Sequence, residues 1–208
     1  MNYISELVER YPELVSCQSQ ITAAKDAIVN LYQNGGKILI CGNGGSCADS
    51  EHMIGELMKG FLKKRPVNEA LAQKLISIRK EDGALLAKSL QTPLRAVSLC
   101  GMPSLGTATI NDIGANFTYA QQALGLTDPG DIFLGISASG NAVNIHLAAI
   151  TAKALGALLV GLTGNDGGKM NGMYDVLIKV PEKIVYKVQE LHLAVYHAIC
   201  LDVEETFF

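Results

Sequence analysis

Apolar and polar positions alternate along the chain in two rhythms, and the switches between them mark out the elements. Ile4, Leu7, Val8, Tyr11 and Leu14 recur at helical spacing, as do Ile21, Ala24, Ile28 and Tyr32. This predicts a leading helical pair over residues 1–34, interrupted near Pro12 and stopped by Asn34-Gly35-Gly36. Such a pair is expected to pack on a partner subunit. Short continuous apolar runs follow, each bounded by turn residues: 37–41, 96–100, 131–136, 157–162 and 176–180. Runs of this kind read as strands buried on both faces of a parallel sheet. Between them lie helical patterns from Cys47, over Phe117–Leu126 and Ala142–Leu155, and finally over Ile184–Thr206. The segment Val67–Leu94 is amphipathic and helical, with Gly83 as the point expected to split it. Thr107–Asp112 reads as a polar loop. Five parallel strands alternating with helices predict a doubly wound α/β sheet, a three-layer sandwich with ligands beyond the strand carboxyl ends.

Bulk properties narrow this picture without changing it. With 208 residues, 49% apolar and 18% charged, the chain suits one domain with a sizeable core. A formal net charge of -3 and the lack of a basic cluster argue against nucleic acid as main partner. No apolar run is long enough to span a bilayer and no signal-peptide pattern opens the chain, so a soluble cytoplasmic protein is expected. The five scattered cysteines, without a C-x-x-C, read as reduced core thiols.

Candidate chemistry gathers at two strand ends. After the first strand comes Gly42-Asn43-Gly44-Gly45-Ser46, whose glycines let the backbone turn sharply and approach a ligand. Ser46 is the expected N-cap and Asp49 completes a capping box, so a helix from Cys47 would aim free N–H groups into the turn. On that helix His52 and Glu56 are four apart and share a face. They suit acid–base work or metal ligation, against the plainer reading of an exposed His–Glu contact. After the third strand, Ser137-Ala138-Ser139-Gly140-Asn141 is a second small-polar loop before a helix, suited to a phosphate monoester. Asn111-Asp112 reads by itself as an Asx-rich turn, or else as a hydroxyl-binding pair. On the last helix Gln189, Leu193 and His197 form one stripe, whereas His192 faces away and reads as a structural, satisfied histidine.

Taken together, Cys41–Ser46 with His52 and Glu56, Gly135–Asn141, Leu162–Met170 and Val188–His197 resemble the SIS (sugar isomerase) family, and more closely its phosphoheptose isomerases. The resemblance covers nearly the whole chain except 67–94. It implies a single SIS domain over 1–208 and a homotetramer with interfacial active sites. It also implies conversion of D-sedoheptulose 7-phosphate to D-glycero-D-manno-heptose 7-phosphate through an enediol. Asn43, Gly44, Gly45 and Ser46 match its first substrate loop, Asn111 and Asp112 its hydroxyl-binding pair, and Ser137, Ala138 and Ser139 its phosphate loop. Glu56 matches its catalytic base and His197 its catalytic acid. His52, Glu56, Gln189 and His197 match zinc ligands of some members, so Zn2+ is the expected cofactor. A zinc-bound Glu56 would be a poor free base, which strains the two assignments against each other. Two departures stand out: Ala138 and Ala142 replace hydroxyl residues of the family loop, and 67–94 is longer. The alternatives are an isomerase of another sugar phosphate, or a non-catalytic binding module of the type that associates with DnaA. That branch lacks the carboxylate and histidine which Glu56 and His197 supply, so the enzyme reading is favoured.

Overall fold

The computed structural model describes residues 2–208. Two helices, α1 (Tyr3–Arg10) and α2 (Gln18–Gln33), are joined by a 3-10 segment at Pro12–Cys17. Pro12 fixes the break, because its ring lacks the N–H that would continue α1. Then come β1 (Ile38–Gly42), α3 (Gly45–Met58), α4 (Glu69–Ile78), α5 (Lys80–Ser89), β2 (Ala96–Ser98), α6 (Pro103–Asp112) and α7 (Thr118–Leu126). The chain closes with β3 (Ile132–Ser137), α8 (Val143–Ala154), β4 (Leu158–Thr163), β5 (Val176–Lys179) and α9 (Val185–Phe207). The five strands form one parallel sheet in the order β2-β1-β3-β4-β5. The winding direction reverses between β1 and β3, where a crevice opens at the carboxyl ends.

The continuous apolar strands are explained by helices on both faces. Ile38, Ile40, Ile132, Leu134, Ile136, Val160 and Leu162 pack with α1, α2, α3 and α9. Leu39, Cys41, Phe133 and Leu159 point the other way, against α7 and α8. Gly135 and Gly161 pair across β3 and β4. A Cβ on Gly135 would meet the Tyr174 hydroxyl at 2.6 Å, so this pair of glycines makes room for the Tyr174 ring.

Several expectations need correcting. The leading helices bury Ile4, Leu7, Ile21, Ala24, Ile28 and Leu31 in this chain's own core, so they are not free for a partner on that side. Thr107–Asp112 is not a loop but the second half of α6, started by Pro103 at its first turn. The Thr107 hydroxyl is absorbed by the Pro103 and Ser104 carbonyls, which removes its conflict with the helix. The 67–94 segment splits at Arg79, in extended conformation, and not at Gly83. Gly83 is instead the point where α5 crosses α4, since a Cβ there would meet the Leu75 carbonyl oxygen at 2.1 Å. Gly83 is also the one buried residue of α4 and α5.

Candidate active site

The first loop turns into its helix two residues earlier than its sequence suggests. Gly44, at φ 55, is the N-cap of α3, which begins at Gly45. Positive φ is open to glycine at little strain, and the choice fixes the turn. Ser46 is therefore a buried helical residue, and no side chain caps α3. Asp49, freed from any capping box, lies 3.3 Å from the Tyr196 hydroxyl. A Cβ on Gly45 would meet the Gln189 amide at 2.5 Å, so a side chain there would push the end of Gln189 away from the loop.

The second loop stands beside the first. Asn43, Ser46, Ser137, Ala138, Ser139, Ala142 and Gln189 line one cleft of about 200 Å³ at the switch point. Ser139 Oγ accepts from the Asn141 N–H, and Asn43 and Asn144 exchange two amide hydrogen bonds of 2.9 Å. Residues singled out from distant parts of the sequence thus meet around one cavity. Asn111 and Asp112 are not among its lining residues. They sit exposed at the end of α6, bonded to each other at 2.7 Å. Ile110, just before them, lines a neighbouring cavity that also includes Asn43.

Along α9 from Gln189 lies a second cluster. Eight residues at the helical rise put His197 about 12 Å further on. There α3 supplies His52 and Glu56, with His52 Nε2 3.2 Å from Glu56 Oε1. The His52 and His197 rings are 4.9 Å apart, edge to face. Carboxylate and imidazole therefore come together within one protomer. Lys59 Nζ stands 3.6 Å from the other Glu56 oxygen. Burial, with the neighbouring His52, holds the His197 pKa below the ordinary imidazole value, and Glu56 opposes this only partly. His197 is thus neutral at pH 7, a state in which an imidazole donates a hydrogen bond without delivering a full charge.

The donor types in this cluster are those zinc takes. Nε2 of His197 is buried with no hydrogen-bond partner among the described residues, as a coordinating nitrogen would be before a metal is added. The spacing is that of contacting side chains: among the described residues no group of three or more His, Cys, Asp or Glu is gathered as a metal-holding set.

Tyr196 was not singled out from the sequence, although it matters here. Its buried hydroxyl lies 3.0 Å from His52 Nδ1, so it orients the His52 ring from behind. Its place directly before His197, on a helix whose stripe was already traced, was the available signal.

His192 is fully buried, and it is satisfied only weakly: the Thr163 backbone is within reach, but neither ring nitrogen makes a well-formed hydrogen bond among the described residues. Burial pushes its pKa from 6.5 down to about 4, against a smaller upward pull from the Thr163 backbone. The fold thus holds the neutral ring, and protonation favours the unfolded chain. Its contribution is complete above pH 6.5 and is lost as pH falls from there to about 4. The loss amounts to about 3 kcal/mol. Urea midpoints measured across that window should fall, and His192→Leu should flatten this part of the slope.

The α/β sheet, its strand order and its paired loops define a sugar-isomerase-type domain, and residues 2–80 match the SIS domain family. Two curated relatives carry the comparison further. The phosphoheptose isomerase of Aneurinibacillus thermoaerophilus is 38% identical over 86% of this chain and 78% of that protein. That of Helicobacter hepaticus is 34% identical over 86% of this chain and 79% of its own length. The solved structure of phosphoheptose isomerase GmhA from Neisseria gonorrhoeae superposes with a TM-score of 0.76 at 29% identity, covering 97% of this chain and 94% of that one. The chain belongs to the phosphoheptose isomerase family. No described helix is long and apolar enough to cross a membrane.

Proposed function

We propose that this protein is an aldose–ketose isomerase that converts D-sedoheptulose 7-phosphate to D-glycero-D-manno-heptose 7-phosphate. The supporting observation is the joint placement of two sites along α9. A cleft of serine hydroxyls and backbone N–H groups lies at one end, and Glu56 with His197 at the other. The cleft takes the phosphate, and the sugar chain extends toward the second cluster. Anchoring the far end lets remote binding energy position C1 and C2.

The reaction moves one proton between adjacent carbons. Glu56 takes a C1 proton of the ketose while His197 donates to the carbonyl oxygen at C2, giving an enediol. Glu56 then returns the proton to C2 as the C1 hydroxyl gives its own back to His197, which leaves the aldose and restores both side chains. Atoms and electrons balance with no redox partner. A neutral His197 suits this role, because it can give and recover a proton around one oxygen pair without being trapped as a cation.

Incubation with sedoheptulose 7-phosphate, followed by chromatographic separation of ketose from aldose, tests the reading. The expected result is an equilibrium mixture of the two, formed faster than from shorter ketose phosphates. A protein that leaves the heptulose unchanged contradicts it.

The homotetramer, the cytoplasmic setting and zinc belong to the same proposal. Five free cysteines accord with a reducing compartment. Of the four residues the family resemblance offers, His52, Glu56 and His197 would hold the zinc, with the unpartnered His197 Nε2 as its support, whereas Gln189 sits two turns away against Gly45 and is not part of that cluster within one protomer. When bound, the ion supplies Lewis-acid polarisation of substrate oxygens. Elemental analysis of protein purified without chelator should find zinc, and its removal should lower the melting midpoint, since a ligand bound only by the fold stabilises it. Full activity in the stripped protein would make the metal incidental.

A further inference from the structure

One buried ion pair lies outside the residues assigned so far. Arg65 and Glu204 are 0% and 1% exposed, and Arg65 Nε donates to Glu204 Oε1 at 2.8 Å. Such a pair is stable only when its remaining hydrogen-bonding capacity is met. Here each further hydrogen bond of the pair goes to the backbone at the end of α3 and in the loop after it.

The rest of the guanidinium turns toward α3. Nη1 donates to the Leu57 carbonyl at 2.7 Å and Nη2 to the Glu56 carbonyl at 3.1 Å. These belong to the last turn of α3, whose carbonyls lack intrahelical partners; the Leu57 carbonyl also accepts from the Leu94 N–H at 3.0 Å. Glu204, two turns beyond His197 on α9, accepts from the N–H groups of Phe61, Leu62 and Lys63 at 2.8, 2.8 and 3.2 Å. That grip sets the loop after α3, and the Phe61 ring then packs edge-on against His197 at 5.4 Å. Arg65 itself is covered by the Phe208 ring at 4.8 Å. One charge pair therefore fixes the main chain of Glu56 and, through Phe61, a wall of His197.

We propose that Arg65 and Glu204 are positioning residues, which set the distance between the Glu56 carboxylate and the His197 ring by clamping the end of α3 to α9. The inference rests on the isomerase reading for its kinetic consequence alone, because the clamp can be read without turnover.

Two measurements on the double variant Arg65→Met/Glu204→Gln test it. Both charges go together, so no lone charge is left buried, and the amide that replaces the carboxylate keeps a carbonyl for the loop N–H groups. Turnover should fall about 10- to 100-fold, the consequence of a sub-ångström to 1 Å misplacement, while KM stays near the parent value because the phosphate cleft is untouched. The chain has four histidines, so ring signals can be followed individually by NMR. Those of His52 and His197 should shift, and those of His146 and His192 should not. A folded variant with parental turnover and unmoved His52 and His197 signals overturns the proposal. If the double variant does not fold, Arg65→Lys carries the same readouts, since it keeps a cation beside Glu204 and removes the donors to α3. If the parent protein itself fails to isomerise the heptulose phosphate, the function fails separately, and the imidazole signals decide the clamp.

Discussion

Glu56→Gln should reduce turnover about 10²–10⁴-fold and leave KM nearly unchanged, the range usual for a lost acid or base. The amide has the shape of the carboxylate and can still meet His52 Nε2, now 3.2 Å from the acid. What it loses is the capacity to accept a proton from carbon. The substitution should also suppress exchange of the C1 hydrogen with deuterated solvent, which an enediol route produces and a hydride shift does not. A loss under about tenfold would remove Glu56 from the role of base. The carboxyl side chain is 13% exposed and fixed between His52 and Lys59, so little repacking could blunt the effect.

Gly140→Ala should disable the phosphate loop and destabilise the fold by about 2–4 kcal/mol, combining left-handed backbone strain with overpacking. Gly140 has φ 66, and a Cβ there would lie 2.2 Å from the Gly167 carbonyl oxygen. That neighbour is backbone and cannot swing aside. Either the Ser137–Asn141 turn opens or the loop around Gly167 retreats, and both displace the Ser139 and Asn141 groups that meet there. KM for the sugar phosphate should therefore rise more than tenfold, with a parallel fall in the urea midpoint. An alanine variant with parental KM would show that phosphate is held elsewhere. Substrate positioning, rather than proton transfer, is the step this substitution should damage.

The central strands were legible because β1 and β3 are buried on both faces, which leaves an unbroken apolar run in sequence. Both loops were legible for a related reason: glycine and small polar residues straight after such a run have few other uses. The pairing of His52 with Glu56 followed from helical spacing alone. Their meeting with His197 did not, since it depends on how α3 and α9 pack, and the resemblance to a family supplied it. Helix α6 was misread because it buries only Thr109 and carries no apolar stripe to announce itself. Ser46 was misread because a capping serine and a buried helical serine look alike until the φ of Gly44 is known. The partners Arg65 and Glu204 are 139 residues apart, and nothing in Lys63-Lys64-Arg65 marks the third cation as the one that turns inward. Glu204, four residues after the buried Cys200 and next to Val203, was the only trace of a charge drawn inward.

The α4–α5 excursion leaves the body and returns through one narrow neck. Pro66 and Gln91 bridge there, Thr92 donates to the Arg65 carbonyl, and the Gln91 side chain reaches back to the Gly60 N–H. Because departure and re-entry points are already stitched side by side, this part of the chain is free to lengthen, shrink or be exchanged between relatives without rethreading a single strand. Evolution can therefore remodel the outside of the molecule here while the sheet and its crevice stay as they are.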